Sequence, residues 1–438
     1  MTKSEERIAK QCTRNPEPDT RNPGSSALAS DRDAIFLYAA AFLLAFGGGH
    51  WWLALPFIIN HLHGSDTQVG MGIAANMGMY ALSVMIATPL IIRFNLKKIL
   101  QVGTLGMTGS TILMCLIVFL TDRGYDLPHP CWLLILTSAS FGISQAGFWP
   151  PLMGWLSTGC LSSQLNRRLS LFSVSWAAAS FLCPYVAGRL VEINPVLPIA
   201  VAVIILMLCC IAVSIPPRPR SISGHLSLAA QAPPESHPLL PCFRWMSRIA
   251  LFTGFLSFGI ARTQFPIYFK VQLHNSESLY GVFMAISSIA MFVNYLSVGR
   301  THAWHYRFSF FLFAQLFILL FQLAVLFCTH LYCFYCVAGV LGLGAAFCYS
   351  SHLYYGSAGG AKRHALMAIH EFTLASGFVT GALLGGHLSD RYHYRLAPYI
   401  LGAAVLAAGI LAQIILFLVV RSKMRRAKKH PESNPDPG

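Results

Sequence analysis

Charge is what this sequence has least of: Asp, Glu, Lys and Arg make up 11% of the chain, against 55% hydrophobic residues. A water-soluble core cannot bury that much apolar surface, so the ordinary soluble classes are excluded. No Gly-rich phosphate loop of the Walker type occurs, which removes an ATP-driven pump. The first 33 residues contain no apolar stretch ahead of a small-residue cleavage site. A cleaved secretory signal is therefore not expected, and the first apolar helix should serve as an uncleaved insertion signal. Acid is scarcer than base, 16 Asp and Glu against 31 Lys and Arg, for a formal charge of +15. That surplus is spread over short loops and tails instead of one patch, so nucleic acid is not an expected partner. The twelve cysteines fall mostly inside apolar runs (Cys115, Cys183, Cys209, Cys210, Cys328, Cys348), where a thiol behaves as a small hydrophobe. No disulfide framework follows from them. Cys333 and Cys336 have CxxC spacing without a second pair, and helix packing is the expected role.

What the sequence does have is a series of apolar runs of about 20 residues, each able to cross a hydrocarbon core about 30 Å thick. Twelve are read, at 34–60, 68–92, 99–120, 131–157, 169–192, 196–215, 248–269, 279–299, 308–328, 331–355, 365–388 and 396–420. They define an all-α membrane protein with twelve transmembrane helices in two six-helix bundles. The expected division is a tail at 1–33, a first bundle at 34–215, a Pro-, Ser- and Arg-rich linker at 216–247, a second bundle at 248–420 and a basic tail at 421–438. In this threading 25 Lys and Arg residues fall on one face and five on the other (Arg123, Arg189, Lys270, Arg391, Arg395). Positive charge stays inside, so both termini are expected in the cytoplasm and the chain in a plasma (inner) membrane.

The halves repeat each other. Ser175 to Gly188 in the fifth span and Thr373 to Gly386 in the eleventh share their spacing of small residues. Each follows a basic loop and precedes an acid, Glu192 or Asp390, and Pro56 and Pro266 occupy like places in the first and seventh spans. Repeated bundles of this kind build transporters that rock about a midplane site.

On these residues the chain resembles the major facilitator superfamily over nearly all of 34–420. Thr88-Pro-Leu-Ile-Ile-Arg93-Phe-Asn-Leu-Lys97-Lys98 looks like that family's G-x-L-x-D-R-x-G-R-K loop, with Arg93, Lys97 and Lys98 in place and Thr88, Ile92 and Asn95 substituted. The fifth span is similar to the family's antiporter motif through Pro184 and Gly188, with Ala179, Cys183 and Ala187 replacing glycines, a tilt toward export. Close helix packing accounts for the same small residues. The resemblance implies two bundles related by a pseudo-twofold axis, a central cavity and a rocking motion.

Ionisable groups inside a span each cost about 2.5 to 3.5 kcal/mol at the helix centre unless they face a cavity or a partner. Arg262 is one: a fixed cation for a substrate carboxylate or phosphate, or an arginine reaching the far interface. His50, after Gly47-Gly48-Gly49 and before Trp51-Trp52, puts an imidazole and two indoles at a matching depth, for ring stacking, proton carriage or simple packing. Glu371 lies about 9 Å inside the eleventh span, as a coupling acid or as a gate acid opposite Arg93 or Lys97. His370 is its neighbour but points about 100° away. Gln145 and Gln264 are the uncharged polar residues ranked for the cavity. His61-x-His63-x-x-Asp66 and His387-x-x-Asp390-x-x-His393 resemble metal spacings without a complete set of ligands.

The expected function is secondary active, proton-coupled transport of a small organic solute by alternating access, efflux slightly favoured. An uncoupled facilitator or uptake permease, or a transport-dead membrane sensor or scaffold, are the alternatives. The expected substrate-binding residues are His50, Trp51, Trp52, Gln145, Arg262 and Gln264, and the coupling or gate residues Glu371, His370, Arg93 and Lys97. No enzymatic activity, cofactor or metal is expected. The expected partners are a small-molecule substrate, protons and the lipid bilayer, with the chain a monomer.

Overall fold

A computed structural model describes residues 31–91, 94–157, 162–216, 237–301, 303–357 and 363–429. The first six traversals are α1 (Asp31–His61), α2 (Asp66–Ile91), α3 (Leu96–Asp122), the broken pair α4 (Pro130–Gln145) and α5 (Trp149–Ser157), α6 (Ser162–Ile193) and α7 (Leu197–Ser214). The second six are the broken pair α8 (Leu240–Thr263) and α9 (Phe265–Val271), α10 (Glu277–Arg300), α11 (Phe308–Phe327), α12 (Leu331–Ser357), α13 (Arg363–Tyr392) and α14 (Ala397–Lys429). Twelve traversals return the chain to the side on which it began, so α1 begins and α14 ends on one face, called here the terminal face; the other is the distal face.

The apolar runs become helices because in lipid only a helix satisfies its own backbone groups along the whole span. Their ends use ordinary caps. Ser65 and Gln68 form a reciprocal capping box ahead of α2, Ser65 Oγ accepting from Gln68 N at 3.2 Å and Gln68 Oε1 from Ser65 N at 3.0 Å. Asn95 Oδ1 accepts from Lys97 N at 3.0 Å to start α3, and Ser276 caps α10.

Ten helical stretches among the described residues are long and apolar enough to cross a membrane on composition alone. The seventh and eleventh traversals are not among them. They carry Arg244, Arg248 and Arg262, and His370, Glu371 and Asp390. These two less apolar helices pack tightly on each other. A Cβ at Gly377 would lie 2.5 Å from the Phe252 carbonyl oxygen, and one at Gly381 would strike that of Leu256, so glycine alone permits the approach. Polarity is thus gathered where two helices shield each other from lipid.

The second bundle starts at Leu240, earlier than the expected 248, because Arg244 and Arg248 fall within the first turns of α8. The final helix likewise runs past 420 to Lys429, its charged turns continuing the apolar span. Both breaks have a visible cause. Pro266 cannot donate to the Arg262 carbonyl, and α8 gives way to α9 at Gln264. Between α4 and α5, Gly147 meets Gly103 of α3 so closely that a Cβ there would lie 3.3 Å from the Gly103 Cα.

Candidate functional site

The two halves meet most firmly at the distal face, where α2 crosses α13 and α6 crosses α10. At the first crossing, a Cβ on Gly70 would strike the Ala382 carbonyl and one on Gly386 that of Asp66. At the second, a Cβ on Gly188 would lie 2.7 Å from the Glu277 carbonyl oxygen and 3.0 Å from the Gly281 Cα. The pattern is twofold. Gly70 follows Asp66 by one turn as Gly281 follows Glu277, and Gly188 precedes Glu192 by one turn as Gly386 precedes Asp390.

Each crossing ends in a polar latch. The Asp390 carboxylate accepts the first backbone N–H groups of α2, from Asp66 at 3.0 Å and Thr67 at 2.8 Å. An acid placed there also faces the positive end of the α2 dipole. Asp66 is held in turn by Ser389 Oγ at 2.5 Å, by Arg395 Nε at 3.6 Å and, through its carbonyl, by Gln264 Nε2 at 3.3 Å. In the other latch Ser278 donates to Glu192, while the neighbouring Glu277 pairs with Lys270 at 2.6 Å. Asp66 and Asp390, the acids of the two metal-like spacings, are therefore latch residues.

Just on the terminal side of this seal, residues from both halves converge. Trp52 and Arg262 each stand four residues before a helix proline, Pro56 and Pro266, and nine before the distal end of their span, about 14 Å at 1.5 Å per residue. They are pseudo-symmetric counterparts. The Trp52 indole N–H donates to Asn76 Oδ1 at 3.2 Å, and its ring sits 5.8 Å from that of Phe378. Phe378 lies 6.3 Å from Phe258, over whose face the Arg262 guanidinium stacks at 5.0 Å. Arg262 is also within electrostatic reach of Cys183 and Tyr280. The residue is partly exposed, yet its Nε is shut from solvent without an acceptor, and among the described residues it has no carboxylate at ion-pair distance.

His50 is buried beside this group. Its Nδ1 lies 2.7 Å from the Phe46 carbonyl oxygen and 3.2 Å from Cys183 Sγ, so Cys183 links the His50 ring to the Arg262 neighbourhood. The short contact to a carbonyl places the proton on Nδ1 and leaves the buried Nε2 without a partner.

Glu371 sits closer to the terminal face, partly exposed, with electrostatic contact to Tyr80 of the first half and Tyr349 of the second. Tyr349 in turn stands 5.8 Å from Tyr295, which is 6.3 Å from Trp176 of the first half. An acid is thereby framed by aromatic side chains from both bundles.

Four expected residues lie elsewhere. Trp51 is 1% exposed and packs edge-on against Phe141 at 4.8 Å, in the core of the first bundle. Gln264 belongs to the distal latch, because the break in the seventh span turns it toward Asp66. Lys97 Nζ donates to the carbonyls of Ser214 and Pro216 at 2.6 and 2.5 Å, capping the end of α7 within its own half and not facing Glu371. His370 is buried against His352, Nδ1 to Nδ1 at 2.8 Å, as its 100° offset from Glu371 requires. Arg93 lies outside the described residues. Gln145 marks the break after α4, its Oε1 buried without a partner.

Tyr80, Tyr349, Phe378 and His352 escaped sequence reasoning. The first three are uncharged among many aromatics. His352 had a usable signal, since it lies five residues from the terminal end of its helix and His370 seven from the start of the next, at nearly equal depth.

Known structures share the fold. A bacterial homologue of the human lysosomal transporter Spinster, in an inward-facing and unoccupied conformation, superposes with a TM-score of 0.64 over 91% of this chain and 98% of its own, at 14% identity. The nucleoside transporter NupG, in a mutant form, gives 0.70 over 88% and 100%, at 10% identity. A structure of proton-dependent oligopeptide transporters gives 0.66 over 90% and 99%, at 12% identity. No curated protein matches in sequence. The sequence pattern of the Major Facilitator Superfamily matches residues 37–373. Two six-helix bundles latched at one face, with this match across most of the chain, make it a membrane transporter that belongs to the Major Facilitator Superfamily.

Proposed function

We propose that the protein is a proton-coupled secondary transporter of a small organic solute, with the solute between the halves at Trp52 and Arg262 and the coupling proton on Glu371. The observation that carries this reading is the one-sided closure of the bundle. Glycine crossings and both polar latches lie at the distal face, whereas two turns further toward the terminal face on α2 the approach to α13 loosens, a Cβ on Gly78 meeting only Val379 at 3.7 Å. A seal on one side with a solute site just beneath it is one end state of alternating access. The excess of Lys and Arg on the terminal face makes that face cytoplasmic and this state inward-open. The Spinster homologue with the same fold is described in an inward-facing conformation.

Glu371 suits coupling because it stands between the halves, has no ion-pair partner among the described residues and is framed by tyrosines of both bundles. A carboxylate in such surroundings is neutral or charged according to which face it opens to, which ties its proton to the rocking of the halves. A proton-dependent relative shares the fold. A gate pairing of Glu371 with Lys97 would belong to the state closed at the terminal face, the opposite of the one described here. The Pro184 and Gly188 motif that tilts toward export serves the α6–α10 crossing, so it carries no separate argument for direction. The imposed gradient sets the direction of net flux. Plasma (inner) membrane placement and a monomeric state complete the proposal.

The test is flux in proteoliposomes. Under an imposed pH gradient the wild-type protein is expected to accumulate solute, and Glu371→Gln to lose that dependence while still exchanging solute across the membrane. Gradient-driven accumulation by Glu371→Gln equal to wild type would remove the acid from the coupling step.

A further inference from the structure

We propose that the Arg262 guanidinium and the face of Trp52 together receive an organic monoanion carrying a flat ring, the charge at Arg262 and the ring against the indole. This rests on the reading that the solute lies between the halves, and it names the class of solute.

The charge comes first. An arginine inside a span is costly unless an anion or a cavity meets it. Among the described residues Arg262 has no carboxylate at ion-pair distance, and its Nε is buried without an acceptor. Glu371 does not supply the missing charge. It lies on α13 seven residues, about 10 Å, to the terminal side of Phe378, with Tyr80 and Tyr349 as its neighbours. A cation that no protein acid neutralises selects an anionic ligand and rejects a cationic one.

The shape follows from the broken symmetry. Trp52 and Arg262 occupy the same position in the two halves, one turn before Pro56 and Pro266, yet one is an indole and the other a guanidinium. A site with unlike ends fits a solute with unlike ends. Asn76 occupies the indole N–H, so Trp52 has its ring face to offer and not its donor. Phe378, buried between the two ends, spaces them, being 5.8 Å from Trp52 and 6.3 Å from Phe258, and the Arg262 guanidinium sits over the Phe258 ring at 5.0 Å. A guanidinium fixed this way presents its remaining N–H groups as a fork that matches a carboxylate. One guanidinium matches one negative charge.

Cysteine labelling in detergent reads this site without any transport. Gly48 lies one turn to the terminal side of Trp52 on the same helix face, is partly exposed, and a Cβ there would meet only Phe141 at 3.8 Å. Gly48→Cys is therefore compatible with the fold. Gly78→Cys, whose Cβ would meet only Val379 at 3.7 Å, reports from the other side if the first variant does not fold. Labelling at the substituted residue is followed by mass spectrometry of its peptide. The anionic sulfonatoethyl methanethiosulfonate is expected to react about tenfold faster than the cationic trimethylammonioethyl reagent, after correction for their rates with a free thiol. Adding Arg262→Gln should abolish that preference. Benzoate and indole-3-acetate should slow the labelling, while benzamide and indole-3-acetamide should not.

The proposal is overturned if the cationic reagent is favoured, if neither position reacts, if Arg262→Gln leaves the ratio unchanged, if no ring carboxylate protects, or if the amides protect equally. An intact anion preference with no flux in proteoliposomes would instead remove the transport reading and leave the anion site standing.

Discussion

Gly188 has the mildest of the four glycine contacts in the distal seal, those of Gly70, Gly281 and Gly386 being closer, so a substitution there strains the closed face without forbidding it. A Cβ added there lies 2.7 Å from the Glu277 carbonyl oxygen and 3.0 Å from the Gly281 Cα, where ordinary contact begins at 3.4 Å. Relieving the shorter contact requires α6 and α10 to part by about 0.7 Å (3.4 minus 2.7), and the methyls of Gly188→Val push further. Overpacking of this order costs about 1 to 3 kcal/mol. The strain exists only while the distal face is closed, so it acts as a differential free energy between the two end states. A bias of about 1 to 3 kcal/mol shifts that equilibrium about 5- to 150-fold toward the distal-open state. Ile193 and Gln272 are exposed at the distal ends of opposite halves and can carry spin labels after substitution by cysteine, with the exposed Cys336 replaced by alanine. Pulsed dipolar spectroscopy should then show a longer distance component in Gly188→Val than in the wild-type background. A folded Gly188→Val protein with an unchanged distance distribution would refute the assignment of this crossing as a seal.

Asp390→Asn keeps the shape of the α2 latch but gives up its charge, and should weaken distal closure by about 1 kcal/mol, read as a smaller shift in the same label distance. His352→Phe alone strands His370 in a buried site and should cost about 1 to 3 kcal/mol, seen as a lower unfolding temperature. The double variant His352→Phe/His370→Phe should be more stable than the single one, because it leaves no imidazole stranded in that site. Trp51→Ala should lower stability by about 3 to 5 kcal/mol through lost packing, whereas Trp52→Ala should weaken ring-carboxylate binding with a smaller change in unfolding temperature.

Most of the fold was legible because lipid imposes a strict rule: long apolar runs must become helices, and basic loops mark one face. The span limits were close for that reason. Helix starts at Leu240 and ends at Lys429 were missed where charged turns extend an apolar helix, which hydropathy cannot see. The matched depths of His50 and Arg262 were legible from span arithmetic, and the structure brings the two together through Cys183. Rotation about a helix axis was not. Trp51 and Trp52 are adjacent in sequence, yet one faces Phe141 in the bundle core and the other faces Phe378 across the interface. Lys97 is ambiguous in sequence because a basic residue near a helix start reads equally as a gate cation or as a cap for a neighbouring helix, and here it caps α7. The latch acids Asp66 and Asp390 were visible only as parts of metal-like spacings. Their partners lie more than 300 residues away, and no local pattern reports such a pairing.

The most direct test of proton-coupled alternating access is uptake of radiolabelled indole-3-acetate and benzoate into proteoliposomes holding the purified protein, with and without a pH gradient. Gradient-driven accumulation by wild type, lost in Glu371→Gln and in Arg262→Gln, is the predicted result. Folded protein that moves neither solute, or that moves them indifferently to the gradient, would contradict the account.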